Sequence, residues 1–364
     1  MRRIILMGSP DTKRTVYLKK AAERTGISVE LLDWQDWSGE LPEGELFLKI
    51  DPPLWTSCAL SRLGTLTETY RRQLAEIGQL AENKNVDFFN TPSAIMELLD
   101  KRTCKKRLVQ AGLPVTEQLC GQVGVDVCPD TAFPPDSYAN PASGIRDAEQ
   151  LLELMRRRNV CQVFIKPASG SGAAGVSAFR IQPGTGQMSL YTCACESFNE
   201  GLIHTKKLRR YMDQGEVRKL LDGLLKLDCI VERWYPKASY GGYTYDLRVV
   251  VQERRVDYIL ARLSKGPVTN LHLNNHPLPV EELGLPVRTR EMVEELCQRA
   301  VDGFPGLGSA GIDLLLERGS LRPRIIEMNA QGDLIYQDIY HENVIYRRQA
   351  ERMKKWLAFA ECSG

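Results

Sequence analysis

The stretch FIKPASGSGAAGVSAF, residues 164–179, is the most informative segment of this sequence. Gly170, Gly172 and Gly175 satisfy the pattern GxGxxG, but a dinucleotide-binding loop needs a helix after its glycines, and here VSAFRI alternates like a strand. No lysine follows the glycines, which excludes a P-loop. Lys166 precedes the loop and no HRD or DFG motif follows, which excludes the protein-kinase arrangement. The segment therefore predicts a strand with a lysine, a glycine-rich hairpin and a second strand.

This hairpin suits the binding of a triphosphate. The small residues from Ala168 to Ala174 let backbone amides approach phosphate oxygens, and Lys166 adds a positive charge for the same oxygens. A surface hairpin with a solvated lysine would have the same composition. The segment alone does not separate the two interpretations.

A second group of polar residues lies near the C-terminus, in GIDLLLERGSLRPRIIEMN, residues 311–329. Asp313 belongs to one apolar strand, and Glu327 and Asn329 belong to the next, where a spacing of two puts them on one face. Carboxylate and amide oxygens suit Mg²⁺, which takes its remaining ligands from water and phosphates. Ordinary polar alternation is the alternative, but an unpaired carboxylate would be costly to bury among isoleucines and leucines.

The order of patterns predicts an α/β protein, with α+β character in its C-terminal part. Strands at 2–8, 27–34, 45–53 and 86–93 alternate with helices at 11–26 and 66–85, which indicates a small open α/β domain over residues 1–90. Further helices are predicted at 93–112, 145–160, 290–304 and 349–360. Between residues 187 and 228 we expect one strand, at 191–198, and two helical pieces, the clearer at 215–227. Further strands are predicted at 161–167, 176–181, 229–236, 243–254, 255–264, 309–318 and 322–329, with a tight turn joining 243–254 to 255–264.

The composition limits the class of partner. Its length of 364 residues indicates two or three units. Its 43% hydrophobic and 26% charged side chains are typical of a globular protein. The 48 basic and 46 acidic residues give a net charge of +2 and no reason to expect nucleic acid. Without a long apolar run or a signal-peptide pattern, we expect a cytoplasmic protein with no membrane partner, and homo-oligomerisation stays open.

The ten cysteines are scattered, which favours reduced thiols over a disulfide framework. Cys193 and Cys195 form a lone CxC with His204 downstream. A second pair at metal-ligand spacing is missing, so thiols are favoured over a zinc site.

Taken together, these motifs resemble the ATP-grasp superfamily, in particular its glutathione-synthase and RimK-type glutamate-ligase branch. KIDPP at 49–53 is similar to the RKDPP segment of bacterial glutathione synthases, and NTPSAIMELLDK at 90–101 is similar to the family's Asn-x-Pro followed by a helix. IVERWYPKA at 230–238 resembles the linker that binds adenine. YDLRVVV at 245–251 and ARLS with TNLH at 261–272 resemble the strands that face the reacting phosphate.

The resemblance implies an ATP-grasp fold, in which a domain over 1–90 precedes two α+β subdomains, 91–234 and 235–364, that clasp ATP near Trp234. It implies an ATP- and Mg²⁺-dependent carboxylate–amine ligase acting through an acyl phosphate, with two Mg²⁺ ions and a small-molecule or peptide substrate. The implied nucleotide-binding residues are Lys101, Lys166, Ser169, Gly170, Ser171, Gly172, Gly175, Glu232, Arg233, Trp234, Tyr235 and Asp246. The implied catalytic residues are Arg248, Arg262 and Asn270, and the implied metal ligands are Asp313, Glu327 and Asn329.

The sequence departs from the pattern of these ligases at two places, and two other functions compete with that of a ligase. The arginine that precedes Asn-Leu in the ligases falls near Val268, where Lys265 is the nearest candidate replacement, and the segment 192–222 is longer than in the close relatives and suggests a lid or substrate element. A kinase for small hydroxyl or polyphosphate substrates and a non-catalytic nucleotide-binding regulator are the competing functions. His272 and His276 are the histidines near the implied site, and each is interpreted as a solvated loop residue.

Overall fold

The computed structural model describes residues 1–55, 57–119, 144–170, 173–273 and 275–359. Its strands form three sheets, which follow one another along the chain. Within the described part, no helix is long and apolar enough to cross a membrane.

The first sheet is parallel, with strand order β2-β1-β3-β4. Its strands read as apolar runs because both faces are covered. Ile5 and Met7 pack towards α2 on one face, whereas Ile4 and Leu6 pack towards α1 on the other. The elements are β1 (Arg2–Gly8), α1 (Lys13–Thr25), β2 (Glu30–Asp33), β3 (Glu45–Ile50), α2 (Leu63–Glu82) and β4 (Val86–Phe88).

Two short helices follow, where the sequence predicted one helix over 93–112. They are α3 (Pro92–Leu99) and α4 (Lys101–Gln110), and Asp100 separates them. Asp100 has an extended backbone (φ −109°, ψ 114°), and its carboxylate accepts from the backbone N–H groups of Arg102 and Thr103. The prediction of a single helix was therefore wrong, because the N-cap bonds of Asp100 stabilise a break.

The second sheet is antiparallel, with strand order β5-β10-β6-β7-β8-β9. Helices α5 and α6 cover one face through residues such as Leu151, Leu154 and Leu221. The elements are β5 (Gln118–Leu119), α5 (Ala148–Arg157), β6 (Gln162–Pro167), β7 (Ser177–Ile181), β8 (Met188–Ser197), β9 (Gly201–Tyr211), α6 (Gln214–Leu225) and β10 (Cys229–Arg233).

The segment 187–228 differs from its prediction. It contains two strands and one helix, because residues 201–211 pair with β8 as an antiparallel hairpin and do not form a helix. Gly201 has φ +68° and closes the turn between the two strands. Cross-strand pairing therefore outweighed the local helical pattern.

The third sheet carries the three predicted metal ligands and two of the three predicted catalytic residues. Its strand order is β14-β13-β12-β15-β16, with β11 paired to β12. The predicted tight turn is confirmed: Gln252 pairs with Arg255 across Glu253 and Arg254, both at positive φ. The elements are β11 (Ser239–Tyr240), β12 (Tyr243–Gln252), β13 (Arg255–Ser264), β14 (His276–Pro279), α7 (Val287–Asp302), β15 (Ser309–Leu316) and β16 (Pro323–Asn329).

The chain ends in α8 (Tyr336–His341) and α9 (Val344–Ala358). Helix α9 returns to the first sheet, where Tyr346, Ala350 and Met353 pack with Ile4 and Leu6. Division of the chain at residues 90 and 234 remains a proposal. In any such division, α9 contributes to the core around the first sheet.

Candidate active site

One cavity lies between the second and third sheets, and most of the predicted site residues line it. The strands β6 and β10 supply one wall, and β12, β13, β15 and β16 supply the other. The predicted residues that line it are Lys166, Glu232, Arg233, Tyr235, Asp246, Arg248, Arg262, Asn270, Asp313, Glu327 and Asn329.

The register of the third sheet brings the predicted metal ligands together. Asp313 lies directly opposite Glu327, and Gly311 lies opposite Asn329, so that all three polar side chains share one face. On β12, the other neighbour of β15, Arg248 lies directly opposite Asp313. Its guanidinium donates to both oxygens of Asp313. The cavity therefore contains an acidic group and a basic group in direct contact.

Asp246 and Arg262 form a buried bidentate pair. Nε and a terminal nitrogen of Arg262 lie 2.7 and 2.9 Å from the two oxygens of Asp246, and the same terminal nitrogen lies 3.1 Å from Oδ2 of Asp313. Burial alone would raise the pKa of Asp246, but Arg262 and Lys237 outweigh it and lower the pKa to about 2. Asp246 therefore orients the guanidinium of Arg262. A contact between Asp246 and the nucleotide stays a prediction.

The two predicted lysines have different surroundings. Lys166 Nζ lies 2.7 Å from Oε2 of Glu232. Lys101 Nζ donates to the carbonyl of Gly170 at 3.0 Å and lies 3.5 Å from Oε1 of Glu327. Lys101 thus connects the start of the glycine-rich loop to the carboxylates, although it does not line the cavity.

Glu232 was predicted to belong to the linker that lies beside adenine. Its side chain makes further contacts. Its carboxylate contacts Lys166, and also Lys105 and Thr116, neither of which was predicted from the sequence. Lys105 follows Lys101 by four residues on α4, so the two lie on one face of the helix. That spacing is the signal that could have identified Lys105.

Solved structures with the same overall arrangement include ATP-grasp proteins. The ATP-grasp ligase PsnB, complexed with a minimal precursor, Mg and ADP, is 14% identical with a TM-score of 0.57 over 97% of each chain. The macrocyclase MdnC from Microcystis aeruginosa, bound with the precursor peptide MdnA, is 15% identical with a TM-score of 0.58 over 98% of this chain and 100% of that chain. No family model and no curated protein matches the sequence.

The chain has the ATP-grasp fold. A RimK-domain ATP-grasp protein from Sphaerobacter thermophilus has the same fold, at 13% identity and a TM-score of 0.52 over 95% of this chain and 96% of that chain. Identities this low carry the fold and no further property. The fold class expected from the motifs is therefore confirmed.

The glycine-rich loop of this ATP-grasp chain is described in part, and Ser171 and Gly172 lie outside the described residues. Ser169 pairs with Asp100 as an isolated β-bridge, and the carbonyl of Ala168 accepts from the N–H of Lys101 at 2.9 Å. Gly175 has φ +69°, and a Cβ there would lie 2.8 Å from the ring of Pro167. Glycine at this position therefore lets the loop fold back against β6.

The cation beside Val268 is Lys237 and not Lys265. Lys237 lines the cavity, and its Nζ donates to the carbonyl of Pro267 at 3.3 Å and to Thr269 Oγ1 at 2.9 Å. Lys265 instead lies over the ring of Tyr243, with its Nζ 5.4 Å from the centroid. Lys237 was not predicted, because it is 31 positions from Val268 and approaches it only in the folded chain.

Trp234, His272 and His276 do not line the cavity. Trp234 packs against Phe164 at a centroid distance of 5.3 Å, and His276 packs edge-on against Tyr243 at 5.8 Å. Burial lowers the pKa of His272. No disulfide bond joins the seven cysteines that the structure describes.

The donor set fits a hard cation. Asp313, Glu327 and Asn329 offer two carboxylates and one amide on one face of paired strands, and all three line the cavity. Among the described residues, no group of three or more histidine, cysteine or carboxylate side chains could hold a metal. A cation here would therefore need the amide oxygen and ligands from phosphate or water.

Proposed function

We propose that this protein is an ATP- and Mg²⁺-dependent ligase that joins a carboxylate to an amine through an acyl phosphate. One observation carries the proposal: a single cavity holds lysine and arginine cations together with the carboxylates of Asp313 and Glu327 and the amide of Asn329, and its two walls come from different sheets. Phosphoryl transfer needs this combination, because cations stabilise the charge of the phosphates and oxygen ligands hold the metal.

Each group has a role in this proposal. Lys101, Lys166 and the glycine-rich loop bind the phosphates, and the segment Glu232 to Tyr235 lies beside the base. Arg248 and Arg262 stabilise the charge on the transferred phosphoryl group. Asp313, Glu327 and Asn329 hold Mg²⁺, which would neutralise charge on the phosphate oxygens.

The proposed reaction needs no nucleophile from the protein. An oxygen of the substrate carboxylate takes the γ-phosphoryl group and ADP leaves. The amine nitrogen then attacks the carbonyl carbon, a C–N bond forms, and the C–O bond to phosphate breaks. PsnB and MdnC were both solved with precursor peptides, which supports a peptide as one class of substrate to test.

The test is release of phosphate from ATP in the presence of Mg²⁺ and pooled carboxylates, amines and peptides. We expect phosphate only when a matching carboxylate and amine are both present, together with a product whose mass equals their sum less one water. Phosphate transfer that needs no amine and leaves a stable phosphorylated product would identify a kinase. Nucleotide binding without turnover in any pool would favour the regulatory function.

A variant separates metal-dependent chemistry from folding. We expect Glu327→Gln to reduce turnover by at least about 100-fold, because the substitution removes a charged ligand of the metal. Glu282→Gln, at an exposed position of the same chain, is the matched control and should retain full turnover. Full activity of Glu327→Gln would contradict the assignment of Glu327 as a metal ligand.

A further inference from the structure

The carboxylate of Glu232 forms ion pairs with two lysines at once. Lys105 Nζ lies 2.7 Å from Oε1 and Lys166 Nζ lies 2.7 Å from Oε2. The side chains of Glu232, Lys105 and Lys166 are 2%, 5% and 7% exposed, so this group is almost removed from water. Thr116 adds a hydroxyl bond to Oε2 at 3.0 Å.

The two lysines are held differently. Lys105 is anchored to the protein, since its Nζ donates to the carbonyl of Thr116 at 2.8 Å, and the backbone of Thr116 is in turn bonded to Ile325 on β16. Lys166 lines the cavity, and among the described residues Glu232 is the one hydrogen-bond partner of its ammonium group. Lys166 is thus the member of the group that can turn towards a ligand.

The group carries an excess of positive charge. Burial lowers the pKa of Lys105 to about 8, and the two lysines, against the effect of burial, lower the pKa of Glu232 to about 2. At neutral pH, Lys105 is therefore largely protonated and Glu232 is ionised. Within the described part of the chain, two ammonium groups face one carboxylate, so one buried positive charge has no counter-ion. This is unfavourable until an anion enters the cavity.

We propose that Lys105 is a positioning residue that neutralises Glu232 so that Lys166 is available to the phosphates of the nucleotide. This rests on the proposed function, because it takes the ligand of Lys166 to be a nucleotide. Without Lys105, Lys166 and Glu232 form a neutral pair. A nucleotide that attracts Lys166 then leaves the buried carboxylate of Glu232 without a cation beside it.

The test compares nucleotide affinity in a single and a double variant. We expect Lys105→Met to raise the Kd of a nonhydrolysable ATP analogue with Mg²⁺ by at least about tenfold, although Lys105 does not line the cavity. Adding Glu232→Gln removes the carboxylate that retains Lys166, so the double variant should recover a Kd within about threefold of the unsubstituted protein. Lys226→Met, at an exposed position, is the matched control and should leave the Kd unchanged.

The rescue distinguishes positioning from a structural role. If Lys105 only stabilised the fold, the second substitution would not restore affinity. A Kd for Lys105→Met within twofold of the unsubstituted protein, or a double variant as weak as the single one, would overturn the proposal. If Lys105→Met alone does not fold, the double variant decides, because it contains no buried carboxylate at this position and a Kd raised more than about tenfold contradicts the proposal.

Failure of the proposed function gives a different result. In that case the unsubstituted protein does not bind the ATP analogue, whatever the variants do. Binding by the unsubstituted protein with no effect of Lys105→Met rejects the positioning role alone.

Discussion

Arg262 links the two acidic residues at the centre of the cavity. Its guanidinium contacts both oxygens of Asp246 and one oxygen of Asp313. Burial alone would lower its pKa, but Asp246 and Asp313 raise the pKa above the usual value of an arginine. The residue stays charged in a dry environment, and the acids around it depend on that charge.

At the residue scale, we expect Arg262→Met to lower the free energy of unfolding by about 3–5 kcal/mol, because Asp246 is left buried without its main partner. Urea denaturation at pH 7 measures the effect. Arg318→Met, an exposed arginine on the turn between β15 and β16, should change it by less than about 0.5 kcal/mol. A loss below 1 kcal/mol for Arg262→Met would show that the pair is not stabilising.

Gly311 is a second residue whose identity matters. It lies on β15 opposite Asn329, and a Cβ there would lie 2.4 Å from the carbonyl oxygen of Gly332. That same carbonyl accepts a hydrogen bond from Arg248 at 3.2 Å. The close approach of Gly311 and Gly332 thus positions the chain that leaves β16.

We expect Gly311→Ala to destabilise the protein by about 1–3 kcal/mol, because the methyl group overlaps backbone atoms that cannot move independently of the sheet. Gly64→Ala, in α2 with no atom within 4 Å of the added methyl, should be neutral or stabilising by up to about 1 kcal/mol. Thermal or urea unfolding of both variants checks the pair. If Gly311→Ala and Gly64→Ala had equal free energies of unfolding, the close contact at Gly311 would be contradicted.

At this scale the sequence predicts a residue well when its neighbours along the chain define it. Asp313, Glu327 and Asn329 are recognisable because polar residues interrupt apolar strands at a spacing of two. Lys105, Thr116 and Lys237 are not, because their partners lie far away in sequence and only the folded structure brings them into contact.

At the scale of elements, Asp100 determines where Lys101 lies. It ends α3, caps α4 and pairs with Ser169, so the first residue of α4 faces the start of the glycine-rich loop. A continuous helix, as the periodicity of 93–112 predicted, would carry Lys101 in its interior. The cap therefore connects a local sequence signal to the placement of a predicted phosphate ligand.

We expect Asp100→Ala to lower the free energy of unfolding by about 1 kcal/mol and to weaken nucleotide binding as well, because the start of α4 loses its cap. Asp213→Ala is a matched control, since Asp213 caps α6 through the N–H of Glu216 and α6 carries none of the predicted site residues. It should lose similar stability with unchanged nucleotide affinity. Unfolding curves and titration with an ATP analogue provide the two measurements, and unchanged affinity in Asp100→Ala would contradict the link.

At the scale of the whole molecule, Asp333 joins three distant parts of the chain. Its carboxylate lies 3.3 Å from Lys49 on β3, 3.3 Å from Arg14 on α1, and accepts from Gln349 on α9 at 2.9 Å. Burial would raise its pKa, but Lys49 and Arg14 outweigh it and lower the pKa to about 2. The loop after β16 is thereby tied to the first sheet and the last helix.

The lowered pKa of Asp333 predicts a pH dependence. In an unfolded chain an aspartate titrates near pH 4, so the stability that Asp333 contributes is complete above about pH 5 and is lost as the pH falls towards 2. We expect Asp333→Asn to be less stable by about 2 kcal/mol at pH 7, with a smaller difference at pH 3. Urea unfolding at both pH values tests this, and the exposed Asp36→Asn should show little difference at either. A gap of equal size at pH 7 and pH 3 would reject the assignment.

Local patterns in the sequence determined the strands of all three sheets apart from β9 and the short β5, β11 and β14. They also determined the glycine-rich hairpin and the polar face of β15 and β16. These features depend on alternation, on turn residues and on spacings of a few residues, which act within one element. The motifs in their order along the chain were enough to predict the ATP-grasp fold.

Tertiary structure alone decided the rest. Residues 201–211 form a strand because β8 is available to pair with them, and α9 packs on the first sheet because apolar residues of β1 need cover there. Lys105 and Lys166 share Glu232 because α4, β6 and β10 meet, although the three residues span 128 positions of the chain. Burial and charge pairing depend on such long-range contacts, and no local pattern encodes them.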